Sequence, residues 1–165
     1  MIFVTVGNAT QGFRRLLEAV DALGGTPILS GEEIVMQTGH NDDFHPKHSR
    51  IEPFLSMERF QARMGEARLI ICHGGCGTLL QAIQLGKKPV AMPRLARYGE
   101  HVNDHQLQLI RALAEENRIV PAYEAADLPR AIDEARKNLL QPLPKSLMPD
   151  LIDQAIRELL TGKSA

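Results

Sequence analysis

The sequence predicts an α/β domain of the Rossmann-like kind, a parallel sheet with helices on both faces. Three observations carry that expectation. Runs rich in β-formers alternate with amphipathic helical patterns, which is the signature of strands joined by crossover helices. The segment Leu69-Ile70-Ile71-Cys72-His73-Gly74-Gly75-Cys76-Gly77-Thr78-Leu79-Leu80 passes from a buried strand through a glycine turn into a helix. At 165 residues the chain fits a single domain, 1–165, large enough to bury most of its apolar surface without disulfides.

Ile2 to Val6 is a β-rich run ending at Gly7, and after Asn8-Ala9-Thr10 a helical pattern begins with Phe13, Leu16, Leu17, Val20 and Leu23 on one face. Ile34 to Thr38 is the second strand, closed by Gly39. His40 to His48 is polar and unpatterned, hence a loop, and it carries three of the six histidines. Ile51 to Leu55 is a third strand whose Pro53 points to a sheet edge or an irregular end. Ser56 is placed to cap a helix with Met57, Phe60 and Met64 inward.

After the glycine turn and its helix, Pro89 to Pro93 is a short strand, Arg94 to Val102 a loop and Asn103 to Glu116 a helix. Ile119-Val120 is a last strand, and Asp127 caps a helix with proline two residues on. Gln141-Pro142-Leu143-Pro144 breaks the chain before a final amphipathic helix, 148–165, with Leu151, Ile152, Ala155, Ile156, Leu159 and Leu160 along one stripe. In such a sheet, ligands bind beyond the carboxyl ends of the strands. The turns at Gly7 and His73 both follow strands and so share that edge.

Composition narrows the classes. With 19 basic and 20 acidic residues there is no electropositive footprint for nucleic acid. No apolar run approaches the ~18 residues that a membrane-spanning helix needs. Cys72 and Cys76, in a chain with no signal-peptide pattern, point to reduced thiols and a cytoplasmic setting.

Gly74, Gly75 and Gly77 let a backbone approach a ligand closely, and the helix that follows aims unpaired N–H groups and a partial positive charge at it. A tight turn without a ligand uses the same glycines, but His73 and Thr78 add side-chain donors, a set that suits a diphosphate. The dinucleotide fingerprint fails here. Gly75-Cys76-Gly77-Thr78-Leu79-Leu80 lacks the third glycine, and Gly7-Asn8-Ala9-Thr10-Gln11-Gly12 lacks the middle one. A Walker-type lysine and a Gly-x-Ser-x-Gly elbow are also missing from the sequence. Cys72, His73, Cys76, His101 and His105 fit metal-ligand spacings poorly, and no metal is expected. The second dense cluster, Arg94 to Gln106, shares the ligand edge with His73. Arg94 and Arg97 there are either ordinary surface charges or cations for a diphosphate, each unit charge ~4 Å away interacting by about 4 kcal/mol at an effective dielectric of ~20. Asn103 and Gln106 also form a capping-box pattern.

His73-Gly74-Gly75-Cys76-Gly77-Thr78, Gly86-Lys87-Lys88-Pro89-Val90, Pro93-Arg94 and Tyr98-Gly99-Glu100-His101-Val102-Asn103-Asp104-His105-Gln106, with the opening Phe3-Val4-Thr5-Val6-Gly7, resemble the family 28 glycosyltransferase C-terminal domain. Within it the chain is most similar to stand-alone exopolysaccharide subunits of the PssE type and to the catalytic subunit of the dolichol-linked N-acetylglucosaminyl transferase. The resemblance implies the C-terminal, donor half of a GT-B glycosyltransferase, with a UDP-sugar as donor, no cofactor or metal, and an acceptor that is a lipid-linked saccharide. It implies a membrane-anchored partner subunit that supplies the acceptor half and the catalytic base, with this chain peripheral to the inner face of the membrane. The apolar stripe of the final helix either closes the core or docks on that partner, and a homodimer is one state open to the chain in isolation.

Carried across by motif, Gly7, Asn8 and the turn from His73 to Thr78 would surround the diphosphate. Arg94, Arg97 and His101 would neutralise the leaving UDP, and Asp104, His105 and Gln106 would lie near the sugar hydroxyls. Gln81 stands where relatives often carry a ribose-binding glutamate, and it exchanges a charged acceptor for an amide. A non-catalytic nucleotide-binding accessory protein and a nicotinamide-dependent oxidoreductase are the alternatives from other classes.

Overall fold

A computed structural model describes residues 1–137. Six strands, β1 (Ile2–Thr5), β2 (Ile34–Gln37), β3 (Arg50–Ile51), β4 (Leu69–His73), β5 (Val90–Met92) and β6 (Val120–Pro121), form one parallel sheet in the order β3-β2-β1-β4-β5-β6. This is the doubly wound Rossmann order, with the direction of winding reversing between β1 and β4. The predicted fold class therefore holds.

Residues of the four inner strands β1, β2, β4 and β5, His73 apart, are buried on both faces because each face carries helices. Ile2, Val4, Leu69 and Ile71 pack on one side with Leu16, Leu17 and Val20 of α1 (Arg14–Gly24) and Leu128 and Ile132 of α5 (Leu128–Lys137). Phe3, Ile70 and Cys72 alternate to the other side, against Met64 of α2 (Met57–Glu66), Leu79 and Ile83 of α3 (Cys76–Gln84) and Ile110 of α4 (His105–Glu115). Each of these large side chains contributes roughly 1.5–3 kcal/mol by leaving water. Phe60 adds an edge-on ring contact with Phe3, 5.7 Å between centroids.

Several boundaries differ from the sequence expectation for identifiable reasons. Phe13 is buried but precedes α1, its N–H held by Asn41 Oδ1 at 2.8 Å. The third strand, expected over Ile51 to Leu55, is the two-residue Arg50–Ile51 at the sheet edge, and it stops before Pro53. The pairing there survives only as isolated bonds, Glu52 N–H to Met36 O and Gly39 N–H to Pro53 O, both 2.8 Å. Ser56 does cap α2, its Oγ accepting from Arg59 N–H at 3.3 Å. Met57, expected inward, is 69% exposed, because a first-turn position precedes the helix's contact with the core. At the other end of α2 the Lys87 ammonium donates to the carbonyls of Met64, Gly65 and Ala67, satisfying orphan acceptors at the negative pole of the helix.

The Asn103–Gln106 capping box does not form. Asp104 is the N-cap of α4 and gives no side-chain bond there, Asn103 Oδ1 accepts from His105 N–H at 3.2 Å, and Gln106 reaches outward instead. Asp127 likewise turns back, accepting from the N–H groups of Tyr123 and Glu124 as the last residue of a 3-10 turn, Ala125–Asp127. The proline break at 141–144 and the predicted helix 148–165 lie outside the described residues.

Candidate functional site

A cleft of about 350 Å³ opens at the carboxyl ends of β1, β2 and β4, where the sheet order reverses. Its polar wall comes from two turns. After β1, Gly7 adopts φ +71°, and its N–H donates to Thr5 Oγ at 3.2 Å. After β4, Gly75 caps α3 without any side-chain hydrogen bond. The first bond inside α3 runs from Leu79 N–H to Gly75 O, so the N–H groups of residues 75–78 have no intrahelical partner, and Gly75, Gly77 and Thr78 line the cleft. The positive pole of α3 faces the same space.

His73 sits between these turns, and glycine is what makes room for it. A Cβ on Gly7 would stand 2.7 Å from the ring, and one on Gly75 would stand 2.2 Å from Nε2. Nδ1 lies 3.4 Å from Thr5 O. Burial pushes the imidazole pKa down to about 4, helped by the charges of Arg94 and His101 and opposed by the Thr5 carbonyl. A neutral ring whose Nδ1–H faces Thr5 O leaves Nε2 as its other hydrogen-bonding atom.

Beneath Gly7 runs a buried relay that the sequence did not disclose. The Thr5 hydroxyl donates to Gln37 Oε1, and Gln37 Nε2 donates to Asn8 Oδ1 at 2.8 Å. Gln37 is 3% exposed and both ends of its amide are engaged. The relay fixes the Asn8 amide with its nitrogen left as a donor on the cleft wall. The opposite wall is apolar, made by Leu55, Met57 and Phe60, while Gln81 lies one helical turn beyond Gly77. Sequence reasoning placed none of Gln37, Leu55, Met57 or Phe60 in the site. The available signal was topological, since β2 and the segment entering α2 end on the same sheet edge.

The other expected site residues are not in this wall. Gly74 backs onto α4, where a Cβ would lie 2.9 Å from Gln106 Cβ and Ile110 Cδ1. Gln106 Oε1 accepts from Gly74 N–H and from Arg94 N–H, 3.1 Å each, and so ties the β4 and β5 turns together. Arg94 is fully buried, with its guanidinium on backbone carbonyls. Arg97 pairs with Glu124 at 2.5 Å and lies over the Tyr98 ring, in a separate groove with Arg111 and Tyr123. In the ligand-free chain four carbonyls hold the Arg94 guanidinium and a carboxylate holds that of Arg97, so neither of the two cations expected near a diphosphate lines the cleft. Asp104 Oδ1 accepts from Ala96 N–H at 2.9 Å, His101 Nδ1 lies 3.2 Å from Asn103 O, and His105 is exposed at the start of α4. Arg15 of α1, unremarked in the sequence, clamps the loop by a two-pronged contact to Glu100 at 2.9 and 3.0 Å.

Cys72 is buried in the sheet, and burial pushes its thiol up to about 12. Among the described residues, no group of three or more histidine, cysteine, aspartate or glutamate side chains is gathered to hold a metal ion.

The strand order, with a cleft at its switch point floored by an uncapped helix N-terminus, defines a Rossmann-like domain. More narrowly, the chain belongs to the glycosyltransferase family 28 C-terminal domain, which matches residues 1–159. It is 24% identical over 156 residues to the UDP-N-acetylglucosamine transferase subunit ALG13 of Yarrowia lipolytica (strain CLIB 122 / E 150), covering 87% of this chain and 76% of that protein. To ALG13 of Mus musculus it is 31% identical over 125 residues, 71% of this chain and 10% of that protein. In fold it is similar to the calicheamicin glycosyltransferase CalG4, with TM-score 0.59 at 18% identity over 83% of this chain and 34% of that one. It is also similar to MurG of Acinetobacter baumannii, with TM-score 0.53 at 22% identity over 79% of this chain and 39% of that one. This chain thus spans little more than a third of those solved glycosyltransferases and a tenth of the mouse relative.

Proposed function

We propose that this domain binds a UDP-sugar in the cleft and serves as the donor half of a two-component glycosyltransferase that passes a hexose-type sugar to a lipid-linked saccharide in exopolysaccharide or capsule synthesis. The single observation that carries the reading is the open first turn of α3, whose unpartnered N–H groups border a cleft of about 350 Å³ that Gly7, Asn8 and His73 also line. The family and the printed name of the ALG13 relatives, UDP-N-acetylglucosamine transferase subunit, support a nucleotide-sugar donor and a role as one subunit of several.

In the proposed reaction an acceptor hydroxyl oxygen bonds to the anomeric carbon as the bond from that carbon to the UDP oxygen breaks, with inversion. UDP leaves with the electron pair and the hydroxyl proton passes to a base on the partner subunit. Charge developing on the leaving diphosphate is met by the α3 terminus, the Asn8 amide and the Thr78 hydroxyl, without a metal. The apolar wall of Leu55, Met57 and Phe60 takes the flat face of the uracil, and Gln81 a ribose hydroxyl. Asp104, His105 and Gln106 do not line the cleft, and their assignment to the sugar rests on the family alone. No helix among the described residues is long and apolar enough to cross a membrane. Attachment through a membrane-anchored partner is part of the proposal, supported by the relatives' printed name as a subunit.

Calorimetry of the chain against UDP, UDP-sugars, uridine and NAD(H) tests the reading. UDP and UDP-sugars should bind well above uridine, with no NAD(H) binding and little or no transfer by the isolated chain. NAD(H) binding in place of UDP, or ordinary turnover without a partner, would refute it.

A further inference from the structure

A buried guanidinium is ordinarily paired with a carboxylate. Arg94 is not. The carboxylate whose charge acts on it is that of Glu100, which is occupied by the Arg15 guanidinium and by Leu95 N–H at 3.0 Å. Arg94 Nη1 instead donates to Gln11 O at 2.7 Å, Gly12 O at 3.2 Å and Glu100 O at 3.0 Å, while Nη2 donates to Val6 O at 2.8 Å. The group lies over the Phe13 ring, 4.9 Å to its centroid, and its Nε–H is buried with no partner. These carbonyls come from two loops: the one between β1 and α1 that contains Gly7 and Asn8, and the one after β5 that contains His101.

We propose that Arg94 is a positioning residue, a buried strut that locks the β1–α1 loop to the loop after β5 and so holds Gly7 and Asn8 in place on the cleft wall. The planar fork matters because it reaches four carbonyls in different directions, which a single ammonium on a flexible stem does not reproduce. A buried Nε–H without a partner is unfavourable, and it persists here because the other four bonds of the fork determine its position. The strut also sets a fixed positive charge below the cleft floor. The groups that face His73 are Arg94, His101 from the same loop, and the Thr5 carbonyl of β1, and the Arg94 charge opposes protonation of the ring.

The functional consequence rests on the cleft being the UDP-sugar site, but the strut itself is testable in the ligand-free chain. In Arg94→Lys and Arg94→Met, amide hydrogen exchange should quicken tenfold or more across residues 7–13 and 95–101, while β4 and α3 keep their protection. The His73 pKa, followed by NMR, should rise in Arg94→Met and stay low in Arg94→Lys, which keeps the charge. UDP affinity should fall tenfold or more in both variants. Unchanged exchange at 7–13 would overturn the proposal by showing that Arg94 braces nothing, and an unmoved His73 pKa in Arg94→Met would overturn the charge it is said to set below the cleft. Loss of cooperative unfolding in both variants would overturn it by making Arg94 a support of the whole domain. If loop exchange and His73 respond as stated while the wild-type chain ignores UDP, the strut stands and the donor-site reading falls.

Discussion

Gly77→Ala separates the ligand role of the α3 turn from its structural role. Gly77 is the second residue of α3, its φ is not positive, and a Cβ there meets nothing within 4 Å. In the folded chain the methyl is therefore free of clashes, and replacing a helical glycine by alanine gains roughly 0.5–1 kcal/mol. For a chain of this size that raises Tm by about 1–4 °C. Cβ bonds in a helix lean toward its N-terminus, so the methyl enters the space where a diphosphate oxygen would meet the turn. A carbon at that point keeps the oxygen beyond hydrogen-bond range of at least one N–H. One charge-assisted hydrogen bond amounts to about 1.5–3 kcal/mol, or roughly a ten- to 150-fold loss of UDP affinity. Gly65→Ala is the control, since Gly65 is helical, meets nothing within 4 Å and does not line the cleft. It should gain similar stability with unchanged binding. Calorimetric titration with UDP and a thermal melt of both variants decide the matter. If Gly77→Ala binds UDP within twofold of the wild type, the diphosphate does not approach this turn.

Two further outcomes follow from the ionisation of buried groups. His73 has its folded pKa lowered to about 4 from 6.5, so between those values the unfolded chain binds more protons and stability rises with pH. The contribution, roughly 3 kcal/mol at most, is complete above about pH 6.5 and is lost as pH falls through 4. Urea midpoints from pH 4 to 7 should therefore climb more steeply for the wild type than for His73→Gln, and parallel curves would contradict the neutral buried ring. For the two thiols, a disulfide reagent should modify exposed Cys76 in the native chain, and Cys72 only on unfolding. Saturating UDP should slow the Cys76 reaction, since Cys76 opens the helix that faces the cleft. Equal rates for both thiols in the native state would mean that β4 is not buried as described.

The sheet and the glycine turn were legible because their requirements are local. A run such as Leu69 to Cys72 has few alternatives to a buried strand, and Gly7 and Gly75 are needed wherever an imidazole packs within 3 Å of a Cβ position. The cleft's apolar wall was not legible. Met57 has the same spacing from Phe60 and Met64 whether it faces the core or the cleft, and only the tertiary entry angle of α2 settles its exposure. Gln106 shows the same limit in polar form. Its distance from Asn103 fits a capping box, yet two backbone N–H groups from the turns after β4 and β5 offer its Oε1 more than the helix end does.

Arg94 marks where reading by residue type stops. A guanidinium after a strand at the ligand edge looks identical in sequence whether it meets phosphate oxygens or carbonyl oxygens, since both are acceptors for the same five donors. What distinguishes them is how many carbonyls the neighbouring turns leave unpaired. The loop from Val6 to Gly12, kept out of regular structure by its two glycines, leaves three of them pointing inward, and Glu100 adds a fourth. A cation buried there answers a need created by the turn after β1 itself. A loop that leaves regular structure must place its C=O groups somewhere, and in this domain Arg94 receives them.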